Sequence, residues 1–239
     1  MADKQSWYCV RQRAGPLTKE CRAIRPRLSA DDTAWDRTEK NKILRPPGDS
    51  SVCRNRVDRL ELRLALFGTE GRVYCLTFDP EHDPATFPDA RKSWRSFLRR
   101  LKQKAGHPID YVYLIEGRHG DHRYHVHLVL RTSDFSDIEV AACWRFGRVL
   151  QPEPLLCGPR DTYRRTARYF NKEATDGIVI PISARQWVAS PSLNRQLPPI
   201  ELFVSDSGWI PMPVVVRASG VYTTANTFGQ YRYAWFIDL

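Results

Sequence analysis

Several familiar signatures are missing from this chain of 239 residues. Its six cysteines are Cys9, Cys21, Cys53, Cys75, Cys143 and Cys157, and no two stand at Cys-x-x-Cys spacing. That excludes a zinc knuckle and a thioredoxin-type redox motif. Several lie in apolar surroundings, as in Val73-Tyr74-Cys75-Leu76, where a thiol acts as a small hydrophobe. Reduced thiols and a cytoplasmic setting, in a bacterial host cell, are therefore expected. There is no Gly-x-x-x-x-Gly-Lys-Ser/Thr loop, so the chain is expected to carry no helicase motor of its own. No run of 18 apolar residues could span a bilayer, no N-terminal apolar stretch reads as a signal peptide, and no membrane partner is expected. Internal repeats and low-complexity tracts are also missing.

What is present is a core and a positive charge. Hydrophobic residues make up 42% and aromatics 11%, enough to build a packed interior. Lys plus Arg outnumber Asp plus Glu by 37 to 27, a formal charge of +10. A polyanionic partner suits that surplus, because each neutralised phosphate releases counterions.

Three segments are expected. Residues 1–50 read as a basic, partly irregular arm, and residues 200–239 as a β-rich extension. Between them, residues 51–199 carry the periodic patterns. Arginines alternate with Val57, Leu60, Leu62, Leu64 and Leu66, which predicts an amphipathic helix over 54–67. Arg72 to Phe78 reads as a buried strand. Trp94, Phe97, Leu98 and Leu101 form one stripe on a helix over 89–104. Strands over 110–116 and 123–131 flank a loop at 117–121. A short helix over 136–145, a weak strand at 148–150 and a helix over 161–174 follow. The order β-α-β-β-α-β-α predicts an α+β fold, a ferredoxin-like or RRM-like antiparallel sheet with helices on one face.

The chemistry centres on Arg123-Tyr124-His125-Val126-His127-Leu128. Alternate residues of a strand share a face, so His125 and His127 point one way and Val126 and Leu128 the other. Imidazoles about 6–7 Å apart along a pleated face can both reach one divalent metal. Glu116 ends the neighbouring strand of the hairpin and is the candidate third ligand. His119 and His122, in the loop, are rivals for that place. Two imidazoles and a carboxylate suit Mg²⁺ or Mn²⁺ with open coordination sites. On the later helix, Tyr169 and Lys172 lie three residues apart and share a face. A phenol has a pKa of about 10, and a nearby ammonium stabilises its phenolate. Arg164, Arg165 and Arg168 flank this tyrosine, and Arg165 and Arg168 are candidate phosphate holders.

Leu76-Thr77-Phe78, His125-Val126-His127 and Tyr169-x-x-Lys172 occur in the motif order of the HUH (His-hydrophobe-His) endonuclease superfamily, which the chain resembles. The nearest resemblance is to rolling-circle replication initiators of phages, plasmids and integrative elements. Their glutamate on the strand before the histidine pair matches Glu116. Arg185 to Leu193 is similar to the Arg-x-Trp-x-x-Ser-x-x-Leu stretch found downstream of their tyrosine. The resemblance covers roughly residues 50–200. It implies a metal site on His125, His127 and Glu116, nucleophilic attack by Tyr169 assisted by Lys172, and a 5′-phosphotyrosine intermediate. It also implies single-stranded or hairpin origin DNA as partner, with host polymerase and helicase. Tyr163 lies six residues from Tyr169, roughly 600° around a helix, so a single nucleophile is expected.

Two alternatives remain open at this point. One is a single-strand transposase or relaxase with the same chemistry, although relaxases place the tyrosine before the histidine pair. The other is a non-catalytic module that binds single-stranded nucleic acid through sheet aromatics and the basic arm.

Overall fold

A computed structural model describes residues 6–24, 51–119, 123–157, 160, 162–171, 187–211, 213, 215–223 and 230–238. The chain forms two compact units, one from Met1–Ser51 with Pro198–Leu239, the other from Val52–Leu197. No described helix is long and apolar enough to cross a membrane.

The second unit is built around β3 (Gly71–Thr77), β4 (Tyr111–His119) and β5 (Arg123–Arg131). Two short strands, β6 (Glu153–Pro154) and β7 (Val188–Ala189), complete its sheet in the order β6-β3-β5-β4-β7. All pairings are antiparallel. The first strand lies beside the third and the second outside it, so the four strands from β3 to β6 follow the expected ferredoxin-like plan. The weak strand expected at 148–150 is a single bridge, Val149 to Leu76.

The longest helix shows why the plan is legible. Helix α2 (Phe87–Ala105) starts at Thr86, whose side chain accepts from Asp89 N, and has proline in its first turn. It stops at Gly106, which takes the left-handed conformation (φ 69°) that a glycine tolerates best. Trp94, Phe97 and Leu101 are buried, three and four residues apart, against Tyr74, Leu76, Tyr111, Val126 and Leu128. Each such side chain contributes roughly 1.5–3 kcal/mol by leaving water. Helix α3 (Asp137–Cys143) joins the same layer behind a capping box of Ser136 and Glu139.

The other sheet face is also covered. Val112 and Val129, on that face, are wholly buried. Helix α1 (Ser51–Ala65) and helix α4 (Tyr163–Tyr169) belong to this second layer and are tied to each other, as Arg164 bridges Asp58 and Glu61 at 2.7 and 2.9 Å. The expected helix over 54–67 thus begins and ends earlier, and the one over 161–174 is seen only as α4, because residues 172–174 lie outside the described set. Helix α5 (Pro191–Gln196) is capped by Ser190, which accepts from Leu193 N, and Leu193 is buried.

The first unit corrects one expectation. In place of an irregular arm over residues 1–50, β1 (Trp7–Ala14) and β2 (Leu17–Ala23) form a hairpin. Gly15 (φ 52°) opens its two-residue turn. The period of two is hidden because arginines occupy inward positions. Arg11 and Arg22 both donate to the buried Glu20, at 2.6 and 2.7 Å, so these charges sit where an apolar residue is expected. Strands β8 (Glu201–Ser205), β9 (Val215–Thr223) and β10 (Gln230–Ile237) complete an antiparallel sheet in the order β8-β1-β2-β10-β9. The two chain ends therefore make one domain rather than an arm and an appendage.

Candidate functional site

The register of the central hairpin sets the site. Glu116 pairs with His125 and Leu114 with His127 across β4 and β5, while β3 sets Thr77 opposite His125 and Cys75 opposite His127. The pleat then puts Glu116, His125, His127 and Cys75 on one face. Val126 and Leu128 point the other way and are fully buried beneath α2. This is why a bulky hydrophobe stands between the histidines.

Helix α4 brings the nucleophile candidate over that face. Tyr163, fully buried, donates to Gly68 O at 3.0 Å, and Ala167 is buried one turn later. The Arg164 pairs to α1 fix the same helix. Tyr169 is its last residue and is 42% exposed. Its Oη donates to Glu116 Oε2 at 3.2 Å and lies 3.2 Å from His127 Nε2. The two rings meet edge to face, 5.0 Å between centroids, and buried Phe170 lies 6.0 Å from the same imidazole.

His127 Nε2 and Glu116 Oε2 are 2.6 Å apart. Hydrogen bonding to His127 holds the Glu116 carboxyl below its ordinary range, against the effect of burial, with help from Tyr169 and the charge of His125. Burial pushes the His127 imidazole down, but hydrogen bonds to Cys75 and Glu116 outweigh it and hold the group up at about 9. The pair therefore reads as imidazolium and carboxylate, with the phenol in contact with both.

A cavity of about 410 Å³ opens beside the tyrosine, lined among others by Cys75, His127, Gln151, Glu153, Arg165 and Tyr169. Arg165 and Arg168 are exposed, and Arg165 lies 3.5 Å from Glu153, an exposed pair of small energetic weight. Arg164 differs from its neighbours, since it is committed to buried Glu61. Lys172 and His122 lie outside the described residues, as does the side chain of His119. Cys75, Gln151 and Phe170 are not singled out by the sequence. Only the strand register puts Cys75 beside His127, and no local motif marks that.

Among the described residues, no group of three or more His, Cys, Asp or Glu side chains stands ready to hold a metal ion. The donor set nevertheless fits one in chemistry. Two imidazoles and a carboxylate share one face, and the Glu116 carboxyl feels both histidines. In their present arrangement Glu116 and His127 satisfy each other.

A family model of replication-associated proteins of the ORF2 type matches residues 71–175. Over this span the chain is similar to replication-associated proteins. The match runs from β3 past α4 and includes Glu116, His125, His127, Tyr169 and Lys172. No curated protein and no solved structure matches the chain.

Proposed function

We propose that this protein nicks and rejoins single-stranded DNA to initiate rolling-circle replication, with Tyr169 as nucleophile. The observation that carries the reading is the Tyr169 hydroxyl, 3.2 Å from both Glu116 and His127. The replication-associated match over residues 71–175 supports the biological setting.

A divalent ion, Mn²⁺ or Mg²⁺, held by His125, His127 and Glu116 would polarise the scissile phosphate. Tyr169 Oη forms the new bond to phosphorus while the P–O3′ bond breaks. The products are a 5′-phosphotyrosine and a free 3′-hydroxyl. Glu116 already accepts the phenolic hydrogen bond and is placed to take the proton. The departing 3′-oxygen takes a proton from Lys172 or water, and Lys172 offsets the charge on the phosphate. Arg165 and Arg168 hold neighbouring phosphates. Attack by a later 3′-hydroxyl on the phosphotyrosine reverses the step and closes a circle. The 3′-hydroxyl left by nicking primes host polymerase, and a host helicase unwinds the duplex. Replacing Tyr169 by Phe removes the attacking oxygen and tests the reading directly, because the covalent adduct must vanish.

A further inference from the structure

The sheet of the first unit has two unlike faces. On one face Trp7, Cys9, Ala234 and Phe236 are buried. On the other, burial is confined to the end at the β1–β2 turn, where Ala14, Leu17 and Ile237 meet. Beyond that end the face is open. It carries Tyr231, Tyr233 and Trp235 in a row along β10, with ring centroids 6.3 and 5.6 Å apart. Across the sheet, Tyr8 aligns with Tyr231 through Ala23 and is 48% exposed. A Cβ added at Gly220 would lie 2.6 Å from the Tyr233 ring, so this ring rests flat on the backbone of β9. Flat and outward-turned, it leaves one π-face for a partner.

Charge on the sheet is distributed unequally as well. The five strands contain two carboxylates, Glu20 and Glu201, and both face the other way, where Arg11 pairs with them. The open face keeps a cation, Lys19, whose Nζ lies 4.9 Å from the Trp235 ring centre. A face of aromatic rings with a lysine and no carboxylate among its described residues suits a ligand that offers π-faces and negative charge together.

We infer that this open face is a base-stacking surface for single-stranded DNA, with Tyr8, Tyr231, Tyr233 and Trp235 receiving unpaired bases and Lys19 a phosphate. It takes only its choice of DNA from the proposed nicking function, and a strand-binding surface serves that function because the nicked strand must be kept from drifting away.

The test measures fluorescence anisotropy of labelled (dT)20 and of a duplex of equal length, without metal, in Tyr169→Phe protein. Removing rings by Tyr8→Ala or Tyr231→Ala should weaken (dT)20 binding about tenfold or more each, and leave the duplex affinity within about twofold. Tyr231→Phe keeps the ring and should keep the affinity, which separates stacking from a structural role. Unchanged (dT)20 binding in both alanine variants overturns the inference, as does equal weakening of strand and duplex. A wild-type dimer in sedimentation velocity that both alanine variants turn into monomers also overturns it, since the face then joins two copies. Adduct formation by the wild type tests the nicking function separately.

Discussion

The hydroxyl of Tyr169 stands 3.2 Å from Nε2 of His127, although 42 residues separate them in sequence. Strand β5 supplies one and the last turn of α4 the other. The contact exists because Arg164 and Tyr163 lock α4 in place one turn earlier. A nucleophile held at the end of a pinned helix needs little reorganisation to reach a phosphate on the sheet.

Removing a proposed ligand should abolish metal uptake. Outer partners of metal sites alone change affinity roughly 10–100-fold, so His125→Ala and His127→Ala should each weaken Mn²⁺ binding by at least about 100-fold. Isothermal titration with Mn²⁺ reads this. Wild-type affinity in either variant would remove that histidine from the site.

The metal-free protein should lose stability as pH rises. His127 is held up at about 9, against an ordinary value of 6.5. The folded state thus binds the proton more tightly than the unfolded chain does. The stabilisation is complete below about pH 6.5 and lost as pH climbs through about 9. Thermal melts in chelator from about pH 6 to about pH 9.5 should show a falling Tm in wild type and a flatter course in His127→Gln. Parallel curves for the two proteins would contradict this.

The three arginines of α4 should separate into two kinds. Glu61 is fully buried, so Arg164→Ala leaves an unpaired interior charge and should cost about 3–5 kcal/mol in urea unfolding. Arg165→Gln and Arg168→Gln should leave the unfolding midpoint within about 0.5 kcal/mol of wild type. Each should lower the slope of log affinity for single-stranded DNA against log salt by about 0.7. A destabilised Arg165 variant, or a stable Arg164 variant, would reverse the assignment.

The strap that closes β3 should not accept a side chain. A Cβ at Gly147 would lie 2.7 Å from Asp79 N and 2.9 Å from Phe78 C, both backbone atoms that cannot swing aside. The strap holds Asp79 N to Phe146 O and Thr77 N to Arg148 O, each at 2.8 Å. Gly147→Ala should therefore destabilise by roughly 1–3 kcal/mol, and denaturant unfolding reads it. A neutral substitution would show that the segment 146–148 is not held as described.

The legible parts of the sequence are those where local pattern and tertiary role agree. The stripe Trp94, Phe97 and Leu101 announces α2, and the alternation around Val126 announces which way the histidines face. The N-terminal hairpin is hidden because Arg11 and Arg22 face inward, where their positions read as polar. Their buried partner, Glu20, is visible only once β1 and β2 are paired. The joining of β2 to β10 links the two ends of the chain, and no short-range signal carries such a pairing. Within the site, Glu116, His125 and His127 can be placed on one face by counting alone. That Cys75 and Phe170 bracket His127 requires the three-strand register and the path of α4.

The central claim is that Tyr169 is the attacking group. Wild-type protein is incubated with Mn²⁺ and 3′-labelled single-stranded oligonucleotides tiling the replicon that encodes it, then run on a denaturing gel. The account predicts a metal-dependent, protease-sensitive labelled species with wild type, and none with Tyr169→Phe, whose DNA binding stays intact. A labelled adduct that persists in Tyr169→Phe would contradict it.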